Sequence, residues 1–243
     1  MLLSAFSGAQ VVGLYAVAWR LACVPVQLIA ASLSPVMFQR LTEHPSPRDR
    51  GALVLSVNRQ IVMLVIPGFV FLALYSRELV PLVMGGRWAQ SGTYAAIFAA
   101  PAALMMLTSP FDRFFDAAGK SHVSLILESS CTTVALVAVG TSLRMGSTPG
   151  VAMVWLAGVT LLYEIAWLFM IYWYCEFSRM AAFRSLLQAG GLVALTVLWF
   201  LACSYVRPGL PGMVMSAASM TAYYIFRLLR GGRLSDVSEA QSG

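Results

Sequence analysis

Charge is scarce in this chain. Charged residues make up 11% of its 243 positions, against about 25% in an ordinary soluble domain. Ten acidic side chains and two histidines, His44 and His122, are spread along the whole length, so the clustered acid and base groups of an enzyme site are missing. Cys23, Cys131, Cys175 and Cys203 lie far apart, without the close pairs that metal sites or redox motifs need; they read as small apolar fillers. The chain has no Walker loop, no Gly-x-Gly-x-x-Gly after a strand and no ordered Ser/His/Asp set. Neither a metal nor an organic cofactor is expected. The first residues lack the basic stretch that opens a cleaved signal peptide.

Apolar residues fill the space that charge leaves. They reach 59%, with mean hydropathy +0.78. Crossing a hydrocarbon layer of roughly 30 Å takes about 20 apolar residues in a helix. Seven stretches are read as such helices: 11–38, 53–75, 94–118, 123–143, 151–174, 186–206 and 213–229. The fold expected is therefore all-α, a polytopic transmembrane bundle of about seven helices. Pro25, Pro35, Pro67, Pro101 and Pro110 fall inside spans, where membrane helices tolerate proline and kinks are expected. Residues 78–88, with an apolar run followed by Gly85, Gly86 and Trp88, read either as a short segment lying in the interface or as a plain connector.

Loops that stay in the cytoplasm are enriched in Lys and Arg. One alternate set of loops holds Arg40, Arg48, Arg50, Arg113, Lys120, Arg179, Arg184, Arg227, Arg230 and Arg233; the other holds Arg77, Arg87, Arg144 and Arg207. The richer set is assigned to the cytoplasm, which puts the N-terminus in the periplasm and the C-terminus inside. The net charge of +6 belongs to these loops and points to anionic lipid rather than nucleic acid. With no internal repeat in the sequence, a symmetric partner lobe is expected upstream of Met1.

Three motifs carry a resemblance: VGLYAVAWRLACVPVQLIAASLSPVMFQR at 12–40, ELVPLVMGGRWAQ at 78–90 and PFDRFFDAAGK at 110–120. In this order they resemble the polysaccharide transporters, O-antigen flippases among them, of the multidrug/oligosaccharidyl-lipid/polysaccharide exporter superfamily. The resemblance covers most of 11–174 and implies an incomplete C-terminal lobe of five helices over 1–177. An additional helix pair follows over 178–230, then a polar cytoplasmic tail over 231–243. It further implies export of undecaprenyl-diphosphate-linked oligosaccharide, an O-antigen or exopolysaccharide unit, across the bacterial inner membrane. The chain would act as a partial chain beside a missing N-terminal lobe or polysaccharide assembly proteins.

Charges inside spans are the natural site candidates, because each costs about 2.5–3.5 kcal/mol at a helix centre. Arg20 lies deep in the first span; in the resembling family such cations face the cavity that receives the diphosphate. Its alternatives are snorkelling to the interface or pairing with Glu164. Arg59 divides in the same way between substrate contact and snorkelling. Glu164, on one face with Trp167 and Leu168, and Glu128, nearer a helix end, are candidates for ion coupling; a structural bond between helices competes for Glu164. Asp112, Arg113 and Asp116 form a charged turn, read either as a cytoplasmic gate with Asp112 and Asp116 on one helix face or as an interfacial ion-pair cluster.

Three other functions compete. A multidrug exporter would need acidic cavity residues, and Arg20 speaks against it. A membrane-embedded polysaccharide polymerase or ligase would need a polar external loop, and 76–93 offers only Arg77, Glu78 and Arg87. The last is an inert lobe with no activity of its own. The chain is expected not to be an enzyme.

Overall fold

The computed structural model describes the backbone of residues 2–43, 46–175, 179–206 and 209–240, and the side chains of 10–43, 46–175, 187, 190–206 and 209–227. His44, the side chains of Arg179, Arg184, Arg207, Arg230 and Arg233, and the side chains of the 231–243 tail lie outside the described residues. Backbone groups in lipid have no water to bond, so an apolar chain closes its hydrogen bonds within helices. The described residues are mostly helical and hold no strand: α1 (Leu2–Glu43), α2 (Pro47–Met84), α3 (Ala89–Thr108), α4 (Phe114–Ala117), α5 (Ser121–Arg144), α6 (Pro149–Tyr174), α7 (Arg179–Val206) and α8 (Leu210–Ala240).

Local chemistry sets the boundaries. The Ser46 hydroxyl accepts from the Asp49 N–H at 3.1 Å and Pro47 opens α2, the arrangement of a capped helix start. Helix α2 then passes through Pro67 and Pro81 and stops only at Gly85, whose φ of +92° suits glycine. This corrects the connector reading of 78–88. Up to Met84 the segment is not a separate connector but the last part of α2, and Leu82, Val83 and Met84 stand exposed on it. A 3-10 turn, Gly86–Trp88, leads directly into α3.

Pro25 and Pro35 in α1 and Pro101 in α3 likewise sit within unbroken helix. Pro110 behaves differently. Lacking an N–H for the carbonyl one turn back, it lies in a 3-10 turn, Ser109–Phe111, and divides the expected 94–118 span into α3 and the short α4. Gly119, at φ +71°, closes α4, with the Gly119 N–H on Asp116 O at 3.0 Å and the Lys120 N–H on Phe115 O at 2.7 Å; such a left-handed glycine with back-reaching amides ends a helix cleanly.

Five segments are long and apolar enough to cross a membrane: Gln10–Glu43, Pro47–Met84, Gly86–Ala117, Ser121–Arg144 and Pro149–Tyr174. The described part of α7, Gly190–Val206, is apolar as well. Helix α8 is not among the five, since Ser, Thr, Tyr223, Tyr224 and Arg227 dilute its apolar run. The all-α bundle of about seven helices read from sequence is what the structure has, and five of its helices are apolar over membrane length among the described residues.

The chain forms two compact units, Met1–Gly190 and Gly191–Gly243. In the first, α3 packs against α1, α2 and α6, and α5 packs against α6. One core cluster joins Ala18, Ala22 and Val26 of α1 with Tyr94, Phe98, Ala102 and Met153. A second joins Met37 and Leu41 with Val54, Phe111, Phe114, Phe115, Trp167 and Ile171. It gathers the end of α1, the start of α2, the α3–α4 break and the end of α6. Arg40, Arg48, Arg50, Arg113 and Lys120 belong to this end, and the connections at 85–88 and 145–148, with Arg87 and Arg144, fall at the opposite ends of the same helices. In the second unit Phe200, Cys203, Met213 and Ser216 are buried, and the Trp199 indole N–H donates to Ser219 Oγ at 3.0 Å.

Candidate functional site

The break after α3 is where polar side chains from three helices converge. From α1, the Ser34 hydroxyl donates to Asp112 Oδ1 at 2.6 Å. From α2, the buried Arg50 donates through Nε to Leu41 O at 2.9 Å and through Nη2 to Ala117 O at 3.2 Å. From α6, Glu164, 4% exposed, meets the Thr108 hydroxyl at the last turn of α3. Pro110 sits at this convergence, in the 3-10 turn that separates α3 from α4. Arg50 caps the last turns of α1 and α4, whose carbonyls have no intrahelical donor.

An open cleft of about 410 Å³ lies beside this break, lined by Ala30, Ala31, Ser34, Pro35, Phe38, Asp112 and Arg113. Its two charges, one of each sign, face an aromatic and a proline. Asp112 and Arg113 are exposed, as is Asp116. The expected helix face shared by Asp112 and Asp116 does not form, because Asp112 and Arg113 lie in the turn between the 3-10 segment and α4. Asp112 spends its bond on Ser34, and among the described residues no ion pair joins Arg113 to Asp116.

Arg20 is exposed on α1 and forms no ion pair with Glu164, so the expected alternative of an Arg20–Glu164 bridge is not what the structure has. Arg59 is exposed on α2 and Glu128 on α5. These three share no hydrogen bond or ion pair with the convergence at Pro110 among the described residues. Lys120 places its ammonium 4.5 Å from the centre of the Tyr174 ring at the end of α6, a cation–π contact worth about 0.5–1 kcal/mol at an exposed position.

Three participants, Arg50, Ser34 and Thr108, escaped the sequence. Arg50 looks like one more loop arginine, yet it continues the buried stripe Val54, Asn58, Ile61 of α2, a one-turn spacing visible in the sequence. Ser34 carries no local signal, since its partner is 78 residues away. Asn58 and Ser109 each have buried polar atoms without a hydrogen bond. Among the described residues no group of three or more His, Cys, Asp or Glu comes together. All four cysteines are free; burial pushes the Cys175 thiol, just past the end of α6, up to about 12, so it stays protonated near neutral pH.

An all-α bundle with five apolar helices of membrane length defines a membrane-embedded protein. Residues 1–93 match the profile of a family described as Polysaccharide biosynthesis protein, which supports a role in polysaccharide synthesis or export. No curated protein and no solved structure matches the chain. The matched stretch contains α1, α2 and the 78–90 motif, and stops before the 110–120 motif.

Proposed function

We propose that the chain takes part in moving lipid-linked oligosaccharide repeat units, carried on undecaprenyl diphosphate for O-antigen or exopolysaccharide, across the bacterial inner membrane. The observation that carries this is Arg20. It lies within the segment matched to the polysaccharide biosynthesis family, on a membrane-length helix, exposed rather than paired within the bundle. A bare guanidinium on such a helix is costly against lipid, and it suits a diphosphate through paired donors. Arg59, exposed on α2, offers a second cation of this kind. Glu164 acts in ion coupling, with Glu128, and the Asp112, Arg113 and Asp116 turn gates the cytoplasmic mouth. The loops richer in Arg and Lys face the cytoplasm, with the N-terminus periplasmic.

The chain is a transporter part rather than an enzyme, works on its substrate among membrane lipids, and shares its cavity with a further lobe or with polysaccharide assembly proteins. Arg20→Ala, expressed in the native host, tests this. Surface polysaccharide is expected to be lost at normal protein level, and unchanged polymer would overturn the role.

A further inference from the structure

Two apolar clusters form the core of unit 1, and the layer between them is polar. Ile61 of α2 and Met106 of α3 belong to one cluster; Val54 and Phe111 belong to the other. Asn58 lies between Val54 and Ile61 on the buried stripe of α2, as Thr108, Ser109 and Pro110 lie between Met106 and Phe111. Helix geometry brings the two sets to one level. The Ser76 hydroxyl meets Gly92 O where α2 and α3 touch, and the two helices run antiparallel through the tight turn at Gly86–Trp88. Asn58 is eighteen residues back from Ser76, and Pro110 is eighteen on from Gly92. Eighteen residues make five full turns and about 27 Å, so both positions return to the faces that meet at Ser76 and Gly92.

Asn58 is 4% exposed, and its Nδ2 and Oδ1, with Ser109 Oγ, are buried without a hydrogen-bond partner among the described residues. Beside them, Pro110 has no N–H to offer the Met106 carbonyl one turn back. Buried polar groups in native proteins are bonded, to protein or to ordered water. In membrane helices interrupted at proline, ordered water is one of the partners that take up the freed carbonyls. The chemistry selects the ligand. Asn58 brings two hydrogens as well as an oxygen, so its partner must both donate and accept. Water does both, whereas an alkali cation would meet the oxygens and leave the amide hydrogens bare.

We propose that Asn58, Ser109 and the Met106 carbonyl hold a pair of buried waters inside the membrane-length part of unit 1, a site that stands in for the N–H missing at Pro110 and pins α2 to the α3–α4 break. One water accepts from Asn58 Nδ2 and donates to Met106 O. Its neighbour donates to Asn58 Oδ1 and bonds Ser109 Oγ, and a bond between the two gives each about the three that a buried water ordinarily makes. The site lies one residue from Thr108, whose hydroxyl meets Glu164. It stands whether or not the chain moves a lipid-linked glycan.

Pulsed X-ray radiolysis of the full chain in nanodiscs is the test, because radicals born at a bound water oxidise side chains that bulk solvent does not reach. Met106 is the reporter and Met153 the control, at 1% and 0% exposure. Fourteen residues on from Gly92, Met106 lies within roughly 40° of the side of α3 that faces α2, and Met153 lies near the start of α6. Met106 is expected to oxidise roughly tenfold faster than Met153. Asn58→Leu is expected to bring it down to the Met153 rate while exposed Met145 keeps its own. Met106 as slow as Met153, or a Met106 rate that Asn58→Leu leaves unchanged, would overturn the site. Ser109→Ala serves as the second variant should Asn58→Leu misfold: a fall of about threefold at Met106 is expected, and no fall would overturn the site. Exchanging sodium for choline is expected to change nothing; a Met106 rate that rises when sodium is removed would overturn the waters and put a cation in their place.

Discussion

At Gly92 the backbones of α2 and α3 come close enough that a Cβ would overlap the Ser76 carbonyl oxygen and sit 3.0 Å from Arg77 Cα. The Ser76 hydroxyl returns the contact, donating to Gly92 O at 2.8 Å. Because the obstacle is backbone, it cannot swing aside. Gly92→Val is expected to destabilise the protein by about 1–3 kcal/mol, the usual cost of overpacking, read as a lower melting temperature in detergent; an unchanged melt would show that the helices separate freely. Glu164 poses a different residue-scale question. Glu164→Gln keeps a hydrogen-bonding partner for Thr108 but cannot exchange a proton. Ion coupling predicts lost export with an unchanged melt, whereas export equal to wild type would make Glu164 a structural tie. Burial of Glu164 was legible from its place beside Trp167 in an apolar stretch. Its partner was not, because Thr108 lies 56 residues away in sequence.

Among the elements, the α3–α4 break is the part that other helices hold. Arg50 reaches both Leu41 O and Ala117 O, so one side chain ties three helices at their ends. Arg50→Met leaves those carbonyls without that donor, and each orphaned buried acceptor costs about 1–3 kcal/mol. The expected result is a clear fall in melting temperature and faster proteolysis of the 109–120 segment; Arg50→Met melting like wild type would contradict the tie. Helix existence was readable from apolar run length alone, since lipid leaves the backbone no alternative. Boundaries were not. The α2 end moved from Tyr75 to Met84 because the helix runs on through Pro81 and stops only at Gly85, and the 94–118 span split because Pro110, unlike Pro101, lies in a 3-10 turn.

The whole molecule carries its charge asymmetrically. Arg40, Arg48, Arg113 and Lys120 lie at the end of unit 1 where α1, α2, α4 and α6 meet, and the Gly85–Trp88 and 145–148 connections lie at the other. Reporter tags inserted at 145–148 are expected to be periplasmic and tags at 119–120 cytoplasmic; the reverse pattern would overturn the orientation. This asymmetry was legible in the sequence, because it needs only the order of loops. The Ser34–Asp112 cleft was not, since it depends on which faces of α1 and the break meet. Translocation is read directly from the leaflet on which lipid-linked repeat units accumulate when the chain is deleted from its host. A flippase predicts accumulation on the cytoplasmic leaflet, out of reach of an impermeant periplasmic probe; repeat units labelled in full from the periplasm would contradict it and place the defect after translocation.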